Sequence, residues 1–232
     1  KQMMFEMPSG VKLLAIEAAT DVCSVAACNN GQVYVRHELA PRRHAELALA
    51  YCHAVLHEAQ LSLSELDALV VGRGPGSFTG VRIAIAVAQG LAYGADLPVA
   101  PVSTLATLAQ SVFRARGHVA VCAALDARMH ETYCGAFRVD LTGQMVAVSQ
   151  ERVCPMSELE LPQGEWFGAG PAWQQYAEQI PDPVARQVAG TWADAQPHAA
   201  DALVLGLAQA NAGTLIGVSE LEPVYLRNRV TR

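Results

Sequence analysis

Residues 72–94 read GRGPGSFTGVRIAIAVAQGLAYG and follow directly on the apolar run Leu66-Asp67-Ala68-Leu69-Val70-Val71. Four glycines and a proline, Gly72, Gly74, Pro75, Gly76 and Gly80, fall within nine positions. Glycine permits positive φ and close approach to the backbone, so a strand that ends in such a turn and feeds a helix makes an anion-binding loop. On that reading Gly74, Gly76, Ser77 and Thr79 are candidate phosphate ligands, and Ser77 or Thr79 can cap the helix. A tight strand-to-helix turn without a ligand accounts for the same residues. The spacing Gly74-x-Gly76-x-x-x-Gly80 misses the dinucleotide fingerprint by one residue, and with no lysine after Lys12 a Walker loop is excluded.

The helix that follows is apolar on every side. Between positions 81 and 95 the only polar side chains are Arg82, Gln89 and the hydroxyl of Tyr93. Such a helix must be covered on more than one face. Ala86, Gly90 and Gly94 recur every fourth residue, a small-residue stripe that lets another helix approach closely. The uncharged run 83–95 is short for a bilayer, so the second cover is expected to be protein.

With 232 residues the chain suits one large domain or two lobes. Its 52% hydrophobic and 16% charged composition is globular and strongly buried. A formal net charge of −6 leaves no basic footprint for nucleic acid, so any RNA is expected to be gripped through something else. Six cysteines without a Cys-x-x-Cys pair suggest buried thiols in a reducing cytoplasm rather than a disulfide framework or zinc site. The apolar part of residues 1–7 is too short for a signal peptide, and the segment is expected to be a disordered start.

Runs at 13–17, 23–28 and 32–38 are β-prone, and Asn29-Asn30-Gly31 marks a hairpin, so the three predict an antiparallel meander. A helix at 45–59, a strand at 66–71, the Gly-rich loop with its helix, and a strand at 97–102 come next. Three strands, helix, strand, helix, strand is the order of the first lobe of the actin, sugar kinase and Hsp70 superfamily (ASKHA), an α/β pattern. The remainder repeats it loosely: a helix at 103–116, a second meander from 119–125, 132–139 and 144–152, and helices at 173–179 and 199–212. The expected architecture is a two-lobed actin-like α/β fold with a mixed sheet in each lobe. Its lobes are 1–102 and 103–212, and 213–232 returns to the first.

At this point the chain resembles the bacterial TsaB (YeaZ) family. The matching motifs are Leu14-Ala15-Ile16-Glu17-Ala18-Ala19-Thr20, the central Gly72-Arg73-Gly74-Pro75-Gly76-Ser77-Phe78-Thr79-Gly80-Val81-Arg82, Leu125-Asp126-Ala127-Arg128 with Glu131 and Tyr133, and Pro223-Val224-Tyr225-Leu226-Arg227. The resemblance implies a noncatalytic subunit that binds TsaD directly as a heterodimer, joined by TsaE, while TsaD transfers threonylcarbamoyl to the adenosine next to the tRNA anticodon. It implies a homodimer when TsaD is absent, tRNA contact only through the complex, no membrane, no tightly bound cofactor, and ATP or ADP only at the level of the complex. Position 17 departs from the family, being Glu where Asp is usual. In the catalytic relative TsaD the equivalent of 102–108 carries His-x-x-x-His, whereas Thr104 and Leu108 stand here, and leucine cannot ligate a metal. No catalytic residue and no metal site are therefore assigned. The alternatives are a phosphotransferase of the same superfamily and, behind it, a metallopeptidase-like protein.

The docking face implied by the family lies on the two helices of the first lobe, and His44, Leu49, Val55, Arg82, Ala86, Gln89 and Tyr93 are its candidate residues. Other candidates have bland counterparts. His53 and His57 are spaced i, i+4, but they lack the Glu of His-Glu-x-x-His and a third ligand, and they read as solvated helix histidines rather than a metal pair. Arg42, Arg43 and His44 sit at the wrong end of a helix dipole, which fits either a partner anion or a solvated loop. Asp126 and Arg128 pair with one another or line a cleft, and a structural role is favoured.

Overall fold

The computed structural model describes residues 7–227. Residues 1–6 of the start and the last five of the 213–232 segment lie outside that range. Leu13–Glu17 (β1), Val22–Asn29 (β2) and Gln32–Leu39 (β3) form the antiparallel meander. Asn30 and Gly31 turn the second hairpin at φ of 49° and 82°. His44–Glu58 (α1), Ala68–Gly72 (β4), Phe78–Ala95 (α2) and Val99–Val102 (β5) complete the first sheet, in the order β3-β2-β1-β4-β5. β4 runs parallel to β1 and β5 parallel to β4. β1 and β4 are buried along their whole length, as strands covered on both faces must be.

The second half builds the same pattern again. After Thr104–Arg116 (α3), Ala120–Asp126 (β6), Thr132–Val139 (β7) and Met145–Ala147 (β8) make a meander, with Arg152–Cys154 (β9) also paired to β7. Trp166–Ala169 (β10) adds in parallel to β6, and Val188–Trp192 (β11) in parallel to β10. Read from the meander, the order β8-β7-β6-β10-β11 repeats that of the first sheet, and the architecture is the two-lobed actin-like one. The single strand expected at 144–152 is split in two. Between β8 and β9, Val148 N donates to Ala136 O, but Ala136 N donates to the hydroxyl of Ser149, so a side chain replaces the ladder there. β10 and β11 were not expected, nor was the short helix Asp182–Gln187 (α5). The helix expected at 173–179 divides into Ala172–Gln175 (α4) and the 3-10 turn Ala177–Gln179.

Two helices cross between the lobes. α3 covers the second sheet, packing Leu105, Leu108, Val112 and Phe113 against Val121, Ala123 and Phe137. Ala199–Asn211 (α6) follows the second sheet in the chain yet covers the first, packing Ala199, Ala202, Leu203 and Leu205 on Leu13, Ala15, Val70 and Val102. It thus packs on the first sheet although it falls within the expected 103–212 lobe, and it sits between that sheet and α3. Where α3 and α6 meet, Arg114 donates to both carboxylate oxygens of the fully buried Asp201, at 2.7 and 2.9 Å. α1 and α2 cover the opposite face of the first sheet.

Beyond α6 the chain runs back along the first lobe as a strap. Ile216 bridges to Val99, Leu221 is buried beside α2, and Val224 N donates to Arg73 O at 2.9 Å. Arg227 then reaches the β6–β7 turn of the second lobe, where it bonds the carbonyls of Ala127 and Arg128 and pairs with Glu131.

Candidate functional site

The Gly-rich loop is held against the turn that follows β1. Ser77 N donates to Ala19 O at 2.7 Å, and a Cβ at Gly76 or Gly80 would run into the carbonyl oxygen of Ala19 or Ala18. Among the loop glycines only Gly74 has positive φ, at 91°. Gly76 and Gly80 are needed for close approach, not for backbone conformation. Several of the backbone donors around the loop are engaged within the chain: Arg73 N on Val102 O, Ser77 N on Ala19 O, Gly80 N on the capping hydroxyl of Ser77, and Val81 N on Ser77 O. Of the candidate ligands, Gly74 is buried under Val224, Gly76 abuts Ala19, Ser77 serves as the helix cap, and Thr79 points to solvent.

Glu17 closes the same corner. Its carboxylate accepts from Ala19 N at 2.8 Å and from the Thr104 hydroxyl at 3.1 Å, and it is 1% exposed. Burial pushes its pKa up to about 7 against the lowering effect of those hydrogen bonds. A carboxyl that holds its proton near neutrality is a poor anchor for a cation. Thr104 and Leu108, at the positions of the relative's histidines, are both fully buried, and Leu108 packs in the second-lobe core.

Ser24 Oγ lies 3.0 Å from His37 Nδ1, the geometry of a nucleophile and its base. Yet Ser24 has no exposed surface, and its oxygen already accepts from Ala199 N at 2.9 Å. His53 and His57 are exposed on α1, and no group of three or more metal-ligating side chains occurs among the described residues. Asp126 takes the structural role: it accepts from Arg128 N and the Tyr176 hydroxyl, both at 2.9 Å, and fixes a turn in which Arg128, Met129 and His130 all have positive φ.

What the first lobe does present is the outer face of α2. This helix, 18 residues long with a mean hydropathy of 1.2, is long and apolar enough to cross a membrane by composition. It is instead the crossover between parallel β4 and β5, and it packs Val81, Ala84, Ile85, Ala88 and Ala92 on the sheet. Its other face exposes Arg82, Ala86, Gly90, Tyr93 and Gly94, with Tyr93 at 83%, and nothing lies within 4 Å of where a Cβ would sit on Gly90 or Gly94. At one end the Arg82 guanidinium lies 3.4 Å over the exposed Phe78 ring and 5.5 Å from that of Tyr225. A groove of about 500 Å³ between α2 and the strap is lined by Arg82, Ile85, Ala86, Gln89, Pro223 and Tyr225, and Gln89 donates to Leu221 O across its floor.

The structure sorts the candidate docking residues. Arg82, Ala86, Gln89 and Tyr93 share the outer face of α2, and Leu49 is 46% exposed on α1. Val55 (0% exposed) and His44 (6%) are corrections: Val55 faces the sheet core, and His44 is turned inward with its Nε2 unpaired. Arg42 is exposed, whereas Arg43 pairs with Glu38 and Glu46, so one of the two misplaced cations is answered within the chain. Phe78 and the strap residue Tyr225 were not singled out for this surface. The signal for Phe78 was an aromatic side chain in the first turn of α2, and Tyr225 carried none beyond its place in the 223–227 motif.

Three comparisons bear on this arrangement. The model of the family described as TsaD, tRNA N6-adenosine threonylcarbamoyltransferase, matches residues 34–221. A protein of Escherichia coli K12 named tRNA threonylcarbamoyladenosine biosynthesis protein TsaB is 40% identical over 95% of this chain and 96% of its own length. One of the same name from Haemophilus influenzae is 38% identical over 94% of each. A solved structure from Pseudomonas aeruginosa, described as an uncharacterized protein with similarity to peptidase YEAZ, superposes with a TM-score of 0.89 at 40% identity, covering 94% of this chain and 100% of that one.

Proposed function

The chain belongs to the TsaB family of tRNA threonylcarbamoyladenosine biosynthesis proteins, and from that premise we propose that it acts as a noncatalytic subunit which binds and supports TsaD. TsaD carries out the transfer of threonylcarbamoyl to N6 of the adenosine beside the anticodon, and TsaE joins the pair. ATP or ADP enters only at the level of the complex, tRNA is reached through it, and the assembly works in the cytoplasm. The observation that carries this reading is the outer face of α2, where small residues and exposed aromatics form one surface. Apolar area of this kind is seldom left in water. The interior supports it from the other side, because the carboxylate of Glu17 and several of the loop amides are occupied within the chain. One surface also means that a homodimer and the TsaD heterodimer compete for it.

Mixing the chain with its cognate TsaD and measuring mass by light scattering tests the reading. A one-to-one complex that forms at the expense of the homodimer is expected. Transfer of threonylcarbamoyl, phosphotransfer or proteolysis by the purified chain alone would overturn it.

A further inference from the structure

The second lobe contains a thiol pair that takes no part in the α2 face or the Gly-rich loop. Cys134 on β7 and Cys154 at the end of β9 lie on facing strands in the register Thr132↔Cys154 and Cys134↔Arg152, with their sulfurs 3.7 Å apart. The Thr132 hydroxyl donates to Cys154 O at 3.0 Å and holds the end of β9 in place. A cavity of about 360 Å³ opens beside Cys134 and is lined by Cys134, Cys122, Ser149, Arg152 and Glu160; Cys154 is reached from it through Cys134. Cys134 is 2% exposed and Cys154 7%.

We propose that Cys134 and Cys154 are a modification site that closes to a reversible disulfide when a hydroperoxide enters this cavity. In the first step the Cys134 sulfur, which lines the cavity, attacks one peroxide oxygen and breaks the O–O bond, leaving Cys134 as the sulfenic acid, while the other oxygen takes the thiol proton and leaves as an alcohol, or as water from hydrogen peroxide. Cys154 sulfur then attacks the sulfenic sulfur, the S–S bond forms, and hydroxide leaves with the Cys154 proton as water. The two sulfurs together lose two electrons, and the peroxide takes them up.

Three features favour this pair over the other cysteines. The first is contact: the sulfurs must close from 3.7 Å to about 2.05 Å, and β9, a three-residue strand paired only to β7, is a light element to move. The second is thiolate character. The two sulfurs share one S–H···S contact in which either can donate, and the nearby Arg152 favours a thiolate within the pair. Burial instead pushes Cys23 up to about 11 and Cys52 and Cys122 up to about 12, and it raises Cys28 as well. The third is access, since a small polar peroxide fits a cavity bounded by an arginine, a serine and a glutamate.

The test is to treat the full chain with hydrogen peroxide under native conditions, alkylate the remaining thiols in denaturant, and map the unreduced peptides by mass spectrometry. Loss of two of the six thiols is expected, with a single Cys134–Cys154 linkage that dithiothreitol reverses. A linkage between any other two cysteines, or no linkage at peroxide levels that already oxidise the methionines, overturns the proposal. The Cys154→Ser variant, if folded, should stop at a sulfenic acid on Cys134 that a dimedone probe traps. The wild-type map decides the matter even if that variant fails to fold.

Discussion

A methyl group on Gly76 would have to share space with the carbonyl oxygen of Ala19, and one on Gly80 with that of Ala18. Neither residue has positive φ, so any cost of substitution comes from pushing two loops apart. Gly76→Ala and Gly80→Ala should each destabilise the fold by about 1–3 kcal/mol, seen as a lower Tm by calorimetry. A Tm equal to wild type would contradict the packing described. Glu17 makes a second residue-level prediction. Its folded pKa of about 7 lies above the ordinary 4.5, so its contribution to stability is fully present below pH 4.5 and is lost as pH rises through 7. Glu17→Gln removes that titration, so between pH 4.5 and 8 the mutant should gain about 3 kcal/mol on wild type in denaturant titrations. A constant difference across that window would mean that Glu17 is ionised in the folded protein. Neither effect is legible from sequence. A Gly-rich run shows where the backbone is unusual, but not whether the cause is a turn, a ligand or a neighbouring carbonyl, and the partners Ala18 and Ala19 sit more than fifty positions away.

Among the elements, the first sheet was readable strand by strand because its strands are rich in Val, Leu, Ile and Ala and the turns between them are marked by Asn29-Asn30-Gly31 and by Gly72. β10 and β11 were not: WFGA and VAGTW are four and five residues long, each interrupted by glycine, among prolines. The reason for Gly168 is tertiary, since a Cβ there would press on the Trp173 ring. The inner and outer faces of α1 were equally hard to tell apart in an alanine-rich stretch, which is why Val55 was placed outside. α6 carries a prediction of its own. His198 caps it, accepting from Ala200 N at 3.2 Å, and stacks on His37 at 4.3 Å, with Arg114 and Asp201 close by. Burial, with the positive charges of His37 and Arg114, lowers its pKa from 6.5 to about 3. The unfolded chain therefore takes up the proton first, and the stability His198 contributes is present above pH 6.5 and is lost as pH falls toward 3. His198→Asn keeps a cap acceptor without a titrating ring, so its acid unfolding midpoint should move to lower pH. An unchanged midpoint would place the acid-sensitive group elsewhere.

For the whole molecule, assembly is the sharpest prediction. Ala86→Arg places a charge at the centre of the α2 face without touching the sheet side of the helix. Circular dichroism should be unchanged, while sedimentation should show loss of both self-association and TsaD binding, through burial of an unpaired charge costing several kcal/mol. Wild-type affinity in a folded mutant would put the interface on another face. The small-residue stripe made this surface visible in advance, but its aromatic end did not show, because Phe78 and Tyr225 meet only once the strap has come back across the fold. The exchange of α3 and α6 between the sheets bears on how the protein is born. Translation delivers every strand of the first sheet by residue 102, but the cover for Leu13, Val70 and Val102 arrives only with residues 199–211. For the time it takes to make some hundred residues, the nascent first lobe exposes one bare apolar face to the cytosol. Ribosome-bound chains stalled near residue 190 should then be open to proteases and attractive to chaperones, and those stalled after 211 has cleared the exit tunnel should be neither.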